Sequence, residues 1–388
     1  MYLKNTSVMK KYFILLLVLS ASRLYSQSTN DILNLLVANK TITQEQADSL
    51  RAEASIKEQE SAAKKKSFQI TSGKALKING YGQFRYQYFQ EDQKAKVDGF
   101  DIRRAYLDIK GDITPYWSYR LQTDFATSPK IIDVYTELKP LDEISFTIGQ
   151  QLLPFSLNNV TSNTKLILAD RAQVVEAATF RRGDILGDNN GRDIGITVFG
   201  SLISFNDTKL VEYRIGVFNG SGINRPDLTD GKDISGRLIL HPVKGLDLGG
   251  SFVSGWTPDS LSLSKIGINV SSEQLGKRKR FGGEINYTYK FLSASAEYIV
   301  FQDGEVSRSG YYAQLAAFLL PNKIQLAGRY ESFDKDLDKD DNIFNNITFG
   351  LNYYINPNVA LQAAYTFKQE EGTSVDNNFT ALQLQISF

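Results

Sequence analysis

The 388-residue sequence has no cysteine, one histidine (His241) and only nine prolines. Without cysteine there is no disulfide framework, no thiol nucleophile and no thiolate-held zinc or iron–sulfur centre. A lone histidine cannot supply a multi-histidine metal site, and it leaves a histidine-based triad without support elsewhere. An excess of one charge is also missing: 44 Lys+Arg stand against 43 Asp+Glu, so there is no basic stripe for nucleic acid. No segment beyond the N-terminus approaches the ~20 apolar residues of a membrane-spanning helix. What is abundant is Tyr (20), Phe (23) and Gly (29), with a mean hydropathy of −0.27. A membrane β-barrel with a polar lumen averages to such a value.

Lys10 and Lys11 precede the apolar run Phe13 to Leu19, which is followed by Ser20-Ala21-Ser22. A basic flank, a short apolar core and a small-residue exit read as a secretory signal peptide over 1–26. Its removal deletes Lys4, Lys10, Lys11 and Arg23 and no acid, leaving 40 bases against 43 acids. Residues 27–75 form a separate helical segment and linker. Asp31 is positioned to cap a helix containing Ile32, Leu35, Leu36 and Val37, and Thr43 with Gln46 makes a capping box for a second. This segment reads either as a periplasmic hairpin touching the cell wall through residues 30–66 or as a solvated spacer.

From about residue 76 to Phe388 the period becomes 2. Ile78, Gly80, Gly82, Phe84, Tyr86 and Tyr88 alternate with Lys77, Asn79, Tyr81, Gln83, Arg85 and Gln87. Sixteen such runs can be counted, most about ten residues long and bounded by turn residues, as tilted membrane strands should be. Every second connection is tight, as at Ile113-Thr114-Pro115, Lys244-Gly245 and Asn356-Pro357-Asn358. Most of the others are longer and polar. The pattern predicts an all-β chain: a 16-stranded antiparallel transmembrane β-barrel preceded by a short periplasmic helical segment. The rival is a soluble β-sandwich or solenoid, but aromatics cluster at strand ends, as in the girdles of a membrane barrel.

Residues 152–191 are too long for a hairpin loop. Their middle, Leu166 to Ala178, has a weak helical pattern, and the segment carries Lys165, Arg171, Arg181 and Arg182 with Asp170 and Glu176. As the third external loop it is expected either to enter the lumen and constrict it or to lie over the surface as a lid. Strand parity points Arg85, Arg104, Arg120, Arg214, Arg237 and Arg329 inward, together with Asp108 and Asp124. This mixed lumen predicts opposed basic and acidic walls rather than a field of one sign.

The stretch Phe100-Asp101-Ile102-Arg103-Arg104-Ala105-Tyr106-Leu107-Asp108-Ile109-Lys110-Gly111 resembles an early strand of the phosphate-selective porin O and P family. So do Tyr119 to Ala126 and Ile148-Gly149-Gln150 with Pro154-Phe155-Ser156. The resemblance runs through roughly 76–388. It implies a homotrimeric sixteen-stranded porin in outer-membrane lipid, with the third loop in the channel and arginine and lysine ladders that pass phosphate-type anions. It carries a lumen role to Arg104 and Arg120.

Asp334, Asp336, Asp338 and Asp340 have the alternation of a calcium loop, but Lys339 and Asn345 occupy positions that need Gly and Glu. No catalytic residue, metal site or cofactor is expected. The functional expectation is a porin for passive diffusion of small hydrophilic solutes or ions. A plugged structural or adhesive barrel tethered to the cell wall is the alternative.

Overall fold

The computed structural model describes residues 29–39, 41–44, 46–50, 68–71, 75–90, 97–205, 208–372 and 375–388. The expected signal peptide lies outside the described residues, as does the charged tail over 51–67. The rest divides into two units at Glu60–Ser61. In the first, α1 spans Thr29–Ala38, so the helix starts two residues before the expected cap at Asp31. The Thr43–Gln46 capping box is present, each side chain bonded to the other residue's backbone N–H (2.9 and 3.2 Å).

The second unit is a barrel of antiparallel strands. A four-residue strand β1 (Phe68–Thr71), not foreseen from the sequence, pairs with β2 (Ala75–Phe89). Then follow β3 (Gly99–Thr114), β4 (Trp117–Asp124), β5 (Lys130–Leu138), β6 (Ser145–Leu152), β7 (Arg192–Phe205), β8 (Thr208–Phe218) and β9 (Asp233–Val243). The series continues with β10 (Leu246–Thr257), β11 (Gly276–Tyr289), β12 (Leu292–Asp303), β13 (Val306–Leu320) and β14 (Ile324–Asp334). It ends with β15 (Ile343–Asn356), β16 (Val359–Glu370) and β17 (Phe379–Ser387). Neighbours in sequence pair from β2 to β17, and β17 returns to β2 in a register from Phe379↔Phe89 to Ser387↔Tyr81. Closure leaves no unpaired edge among these sixteen strands.

Alternation explains why these segments become strands and where their faces go. Along β2 to β17 the outward residues are apolar and exposed, among them Phe84, Ile102, Leu238, Phe281, Tyr298, Phe349 and Leu382. The inward residues are largely polar and enclosed, such as Gln83, Arg120, Thr147, Ser235, Arg280 and Glu331. The arrangement suits strands whose outer face meets lipid. Among the described residues no helix is long and apolar enough to cross a membrane.

The apolar core lies within the lumen. Phe155, Val174, Val175 and Ala178 from the β6–β7 connection cluster with the wall residues Val253, Ile299, Phe301 and Tyr312. A second cluster joins Leu153, Phe180 and Leu186 to Phe218. The forty-residue segment therefore folds inward and does not lie over the surface as a lid.

Candidate functional site

Between β6 and β7 the chain forms α2 (Leu157–Val160), a 3-10 turn (Asn163–Lys165) and α3 (Gln173–Ala178). Only the second half of the expected helical stretch is helical. Ahead of it, wall side chains capture the backbone: Asn352 donates to the Ile167 carbonyl (2.8 Å) and Gln362 to that of Leu166 (3.3 Å).

Wall carboxylates receive both helix starts. Glu297 of β12 accepts the N–H groups of Leu157 (2.9 Å) and Asn158 (2.7 Å), and Glu331 of β14 accepts that of Gln173 (3.0 Å). Such N–H groups have no partner within a helix, so each carboxylate satisfies donors that would otherwise be buried unpaired. Farther along, Asp184 of the loop meets Arg280 of β11 at 2.5 Å, and Arg280 also reaches Asp303 of β12 at 3.0 Å. All three side chains are fully enclosed. The wall is hollowed where the loop presses on it: a Cβ at Gly350 would lie 2.4 Å from Leu168 Cδ2.

The loop leaves two chambers. One, about 560 Å³, faces the short-turn end and is lined by β4–β9 residues including Arg120, Glu137, Lys139, Arg214 and Arg237. The other, about 510 Å³, lies toward the long loops between α3 and β13–β17. Six basic side chains (Arg171, Arg182, Arg308, Arg329, Lys335, Lys368) line it against three acids (Asp170, Glu176, Glu331). Among the described residues none lines both chambers.

Arginines connect them. On β2–β3 the register shifts between Gln83↔Arg104 and Phe84↔Ile102, so Arg103 is an extra, bulged residue. A bulge breaks parity, and it lets consecutive arginines both turn inward. Arg103 meets Asp170 of the loop at 2.5 Å with its side chain nearly enclosed, whereas Arg104 donates to Gln83 Oε1 (2.7 Å). Arg171 is bound by neutral acceptors, the Asn158 and Thr161 carbonyls and Asn163 Oδ1 (2.7–2.8 Å). Arg181 is bound by Asn159 Oδ1 and O (2.9 and 3.4 Å). Among the described residues none of Arg104, Arg171 and Arg181 has an ion-pair partner within 4.0 Å. Toward the short turns, Asp133 is shared by Arg192 (2.6 Å) and Arg120 (2.9 Å).

Electrostatics follow from this crowding. Burial pushes the Arg181 guanidinium down to about 10, with Arg192 and Arg104 adding to the effect and Glu176 opposing it, so it stays charged at neutral pH. Arg171 is also pushed down, by burial and then by Arg181 and Arg104. Burial would raise the Asp170 carboxyl, but Arg103, Arg85 and Arg182 outweigh it and hold that carboxyl below the ordinary carboxylate range.

The inward residues expected from parity fall into distinct environments. Arg120, Arg214 and Arg237 line the short-turn chamber, Arg214 with its guanidinium 4.2 Å from the Phe199 ring centre and Arg237 paired to Glu284. Arg85 is paired to Asp101 at 2.5 Å, and Asp108 to Arg120 at 2.7 Å. Asp124 is buried, but its carboxylate is occupied by the backbone N–H groups of Ala105 and Ala126 (3.1 and 3.0 Å). Arg329 lines the long-loop chamber while donating to the Asp170 carbonyl (2.8 Å), so it also holds the loop. Within the loop Arg171, Arg181 and Asp170 join the arginine series; Arg182 and Glu176 face the long-loop chamber, and Lys165 is exposed on the 3-10 turn. The inward set read from parity lacked Arg103, because of the bulge, and the anchor Arg280. His241 lies on β9 with Asp247 2.7 Å from Nδ1 and Glu212 3.7 Å from Nε2. Among the described residues no group of three or more His, Asp or Glu could hold a metal.

Comparison with known proteins agrees with this architecture. Salmonella typhi OmpF, in a complex with daunomycin, superposes with a TM-score of 0.61 at 12% identity, covering 83% of this chain and 100% of that one. An anion-selective porin from Comamonas acidovorans gives 0.60 at 13% identity, with 81% and 100% covered. Vibrio cholerae OmpT, in a trimer form, gives 0.57 at 10%, with 81% and 99% covered. A curated relative from Aquifex aeolicus (strain VF5), described as an uncharacterized protein, is 25% identical over 254 residues. That match spans 58% of this chain and 60% of the relative's length. The family model for phosphate-selective porin O and P matches residues 77–230 and 261–388. With most of the barrel matched by that model, the chain belongs to the phosphate-selective porin O and P family of outer-membrane porins.

Proposed function

We propose that this porin passes small anions, phosphate-type oxyanions among them, through a constriction formed by the β6–β7 loop and the β2–β7 wall. The observation that carries the reading is that Arg104, Arg171 and Arg181 are buried and held by neutral acceptors, so their charge is not cancelled locally. Preorganised guanidiniums in a narrow, water-poor passage favour anions and repel cations. The Arg120–Asp133–Arg192 group continues the series toward the short-turn chamber, and Arg182 and Arg171 begin it in the other. Passage is diffusive, with no catalytic step.

In this reading the long loops are external, and an even strand count puts both ends of the barrel on the periplasmic side with the helical segment. The protein is a homotrimer, a state supported by family resemblance and by a neighbour described in a trimer form.

The reading is tested in a planar bilayer by the reversal potential under a KCl gradient, followed by added phosphate. Anion preference with phosphate block is expected, and Arg104→Glu should shift the potential toward cations. Cation preference in the unmodified protein would overturn the reading. One observation favours a second reading, a plugged structural barrel: among the described residues none lines both chambers. Correctly folded protein without any conductance would establish that instead.

A further inference from the structure

The long-loop chamber has features that a bare oxyanion would not use. Its volume of about 510 Å³ lies within the roughly 300–1,000 Å³ that encloses small organic molecules. Phe333 and Phe379 both face this space, and apolar ring faces offer nothing to a small, strongly hydrated anion. Cations lie against rings around it: Lys368 Nζ is 5.7 Å from the Phe379 centroid, and Lys335 Nζ is 3.2 Å from that of Phe344. Arg308 is only loosely engaged. Its nearest carboxylate oxygen, on Asp303, is 3.9 Å away, and its Nε is buried without a hydrogen-bond partner among the described residues. Gln173, Asn346 and Thr366 add amides and a hydroxyl to the lining.

From this combination we infer that the chamber is a binding subsite for an acidic sugar, a pyranose ring bearing a carboxylate. The carboxylate meets Arg308 and the lysines, where charge-assisted hydrogen bonds are strongest. The C–H face of the ring lies on Phe379 or Phe333, and the hydroxyls meet the amides. A neutral sugar lacks the charge, a simple carboxylate lacks the ring, and an aryl acid lacks the hydroxyls. The inference rests on the anion-pore reading and deepens it by naming an organic solute class.

The test uses the purified full chain in a planar bilayer, with KCl current recorded as glucuronate, glucose, acetate or benzoate is added on the long-loop side. Glucuronate should block at a concentration at least about tenfold lower than the other three, the factor that about 1.4 kcal/mol of added contact provides. Phe379→Ser should remove most of that advantage while the reversal potential in KCl alone stays unchanged. Phe379→Leu keeps an apolar side chain in the wall and should retain the fold while losing the stacking face, so it guards against misfolding of the first variant. Equal block by glucuronate and acetate, with anion preference intact, would overturn the subsite alone. Benzoate blocking as well as glucuronate would overturn the sugar assignment. Loss of anion preference in the unmodified protein would mean failure of the underlying pore reading, which the reversal potential reports separately.

Discussion

Two parts of the inner wall carry the same residue types and use them differently. On β4–β9, Arg120, Glu137, Lys139, Arg214 and Arg237 face an aqueous chamber. On β11–β14, Arg280, Glu297, Arg329 and Glu331 are nearly or wholly enclosed and bind the inserted loop. An inward arginine is therefore a pore charge in one place and a structural anchor in another. What separates them is whether the loop covers the strand. Burial raises the cost of an unpaired charge, so the covered wall must match each charge to a partner, and the open wall need not.

The largest effect should come from breaking an anchor. Arg280→Ala leaves Asp184 buried without its cation and Asp303 with only Arg308 at 3.9 Å, which should cost about 3–5 kcal/mol. Denaturant unfolding of the detergent-solubilised protein measures it, and single-channel records should become noisier as the loop loosens. On the open wall, Arg214→Ala removes a stack on Phe199 and should cost no more than about 1 kcal/mol. Equal losses at the two positions would remove the distinction between the walls.

A smaller loss is expected at Glu297. Glu297→Gln keeps the shape but replaces charged acceptors facing two backbone N–H groups, at about 1.5–3 kcal/mol in the same unfolding assay.

Selectivity should grade in the opposite sense to stability. Arg104→Glu sits in the narrow passage and should move the reversal potential much farther than Arg214→Glu in the wider chamber, because surrounding water screens the second. Matching shifts would count against a constriction at Arg104.

The smallest effect concerns acid. The Asp170 carboxyl is held low by Arg103, Arg85 and Arg182, so its contribution to loop docking is present above the ordinary carboxylate range and is lost as pH falls through its lowered value. Conductance should stay flat from pH 8 to about 4 and change only below that. Asp170→Asn should reproduce the acid behaviour at neutral pH. A transition near pH 6 would assign the response elsewhere.

The sixteen runs counted from alternation match the sixteen barrel strands β2 to β17 in number. That legibility has a simple cause. Lipid outside and water inside impose opposite demands on successive residues, so the period of 2 is written at nearly every position. Within the candidate site the same rule holds only between irregularities. Arg104 follows the alternation and Arg103 departs from it, because the strand carries an extra residue between the partners of Gln83 and Phe84. Asp124 also follows the alternation, yet its Oδ1 accepts two backbone N–H groups, which no side-chain pattern reveals.

The order of turns and strands, the closure of the barrel and the inward set of side chains follow from short-range periodicity and chain length. The fate of each inward charge does not. Whether Arg329 attends to solute or to the loop, whether Asp133 serves one arginine or two, and whether Arg104 keeps its charge uncompensated depend on contacts between residues far apart in the chain. Those contacts exist only where closure of the barrel and the inward path of the forty-residue loop bring distant residues together.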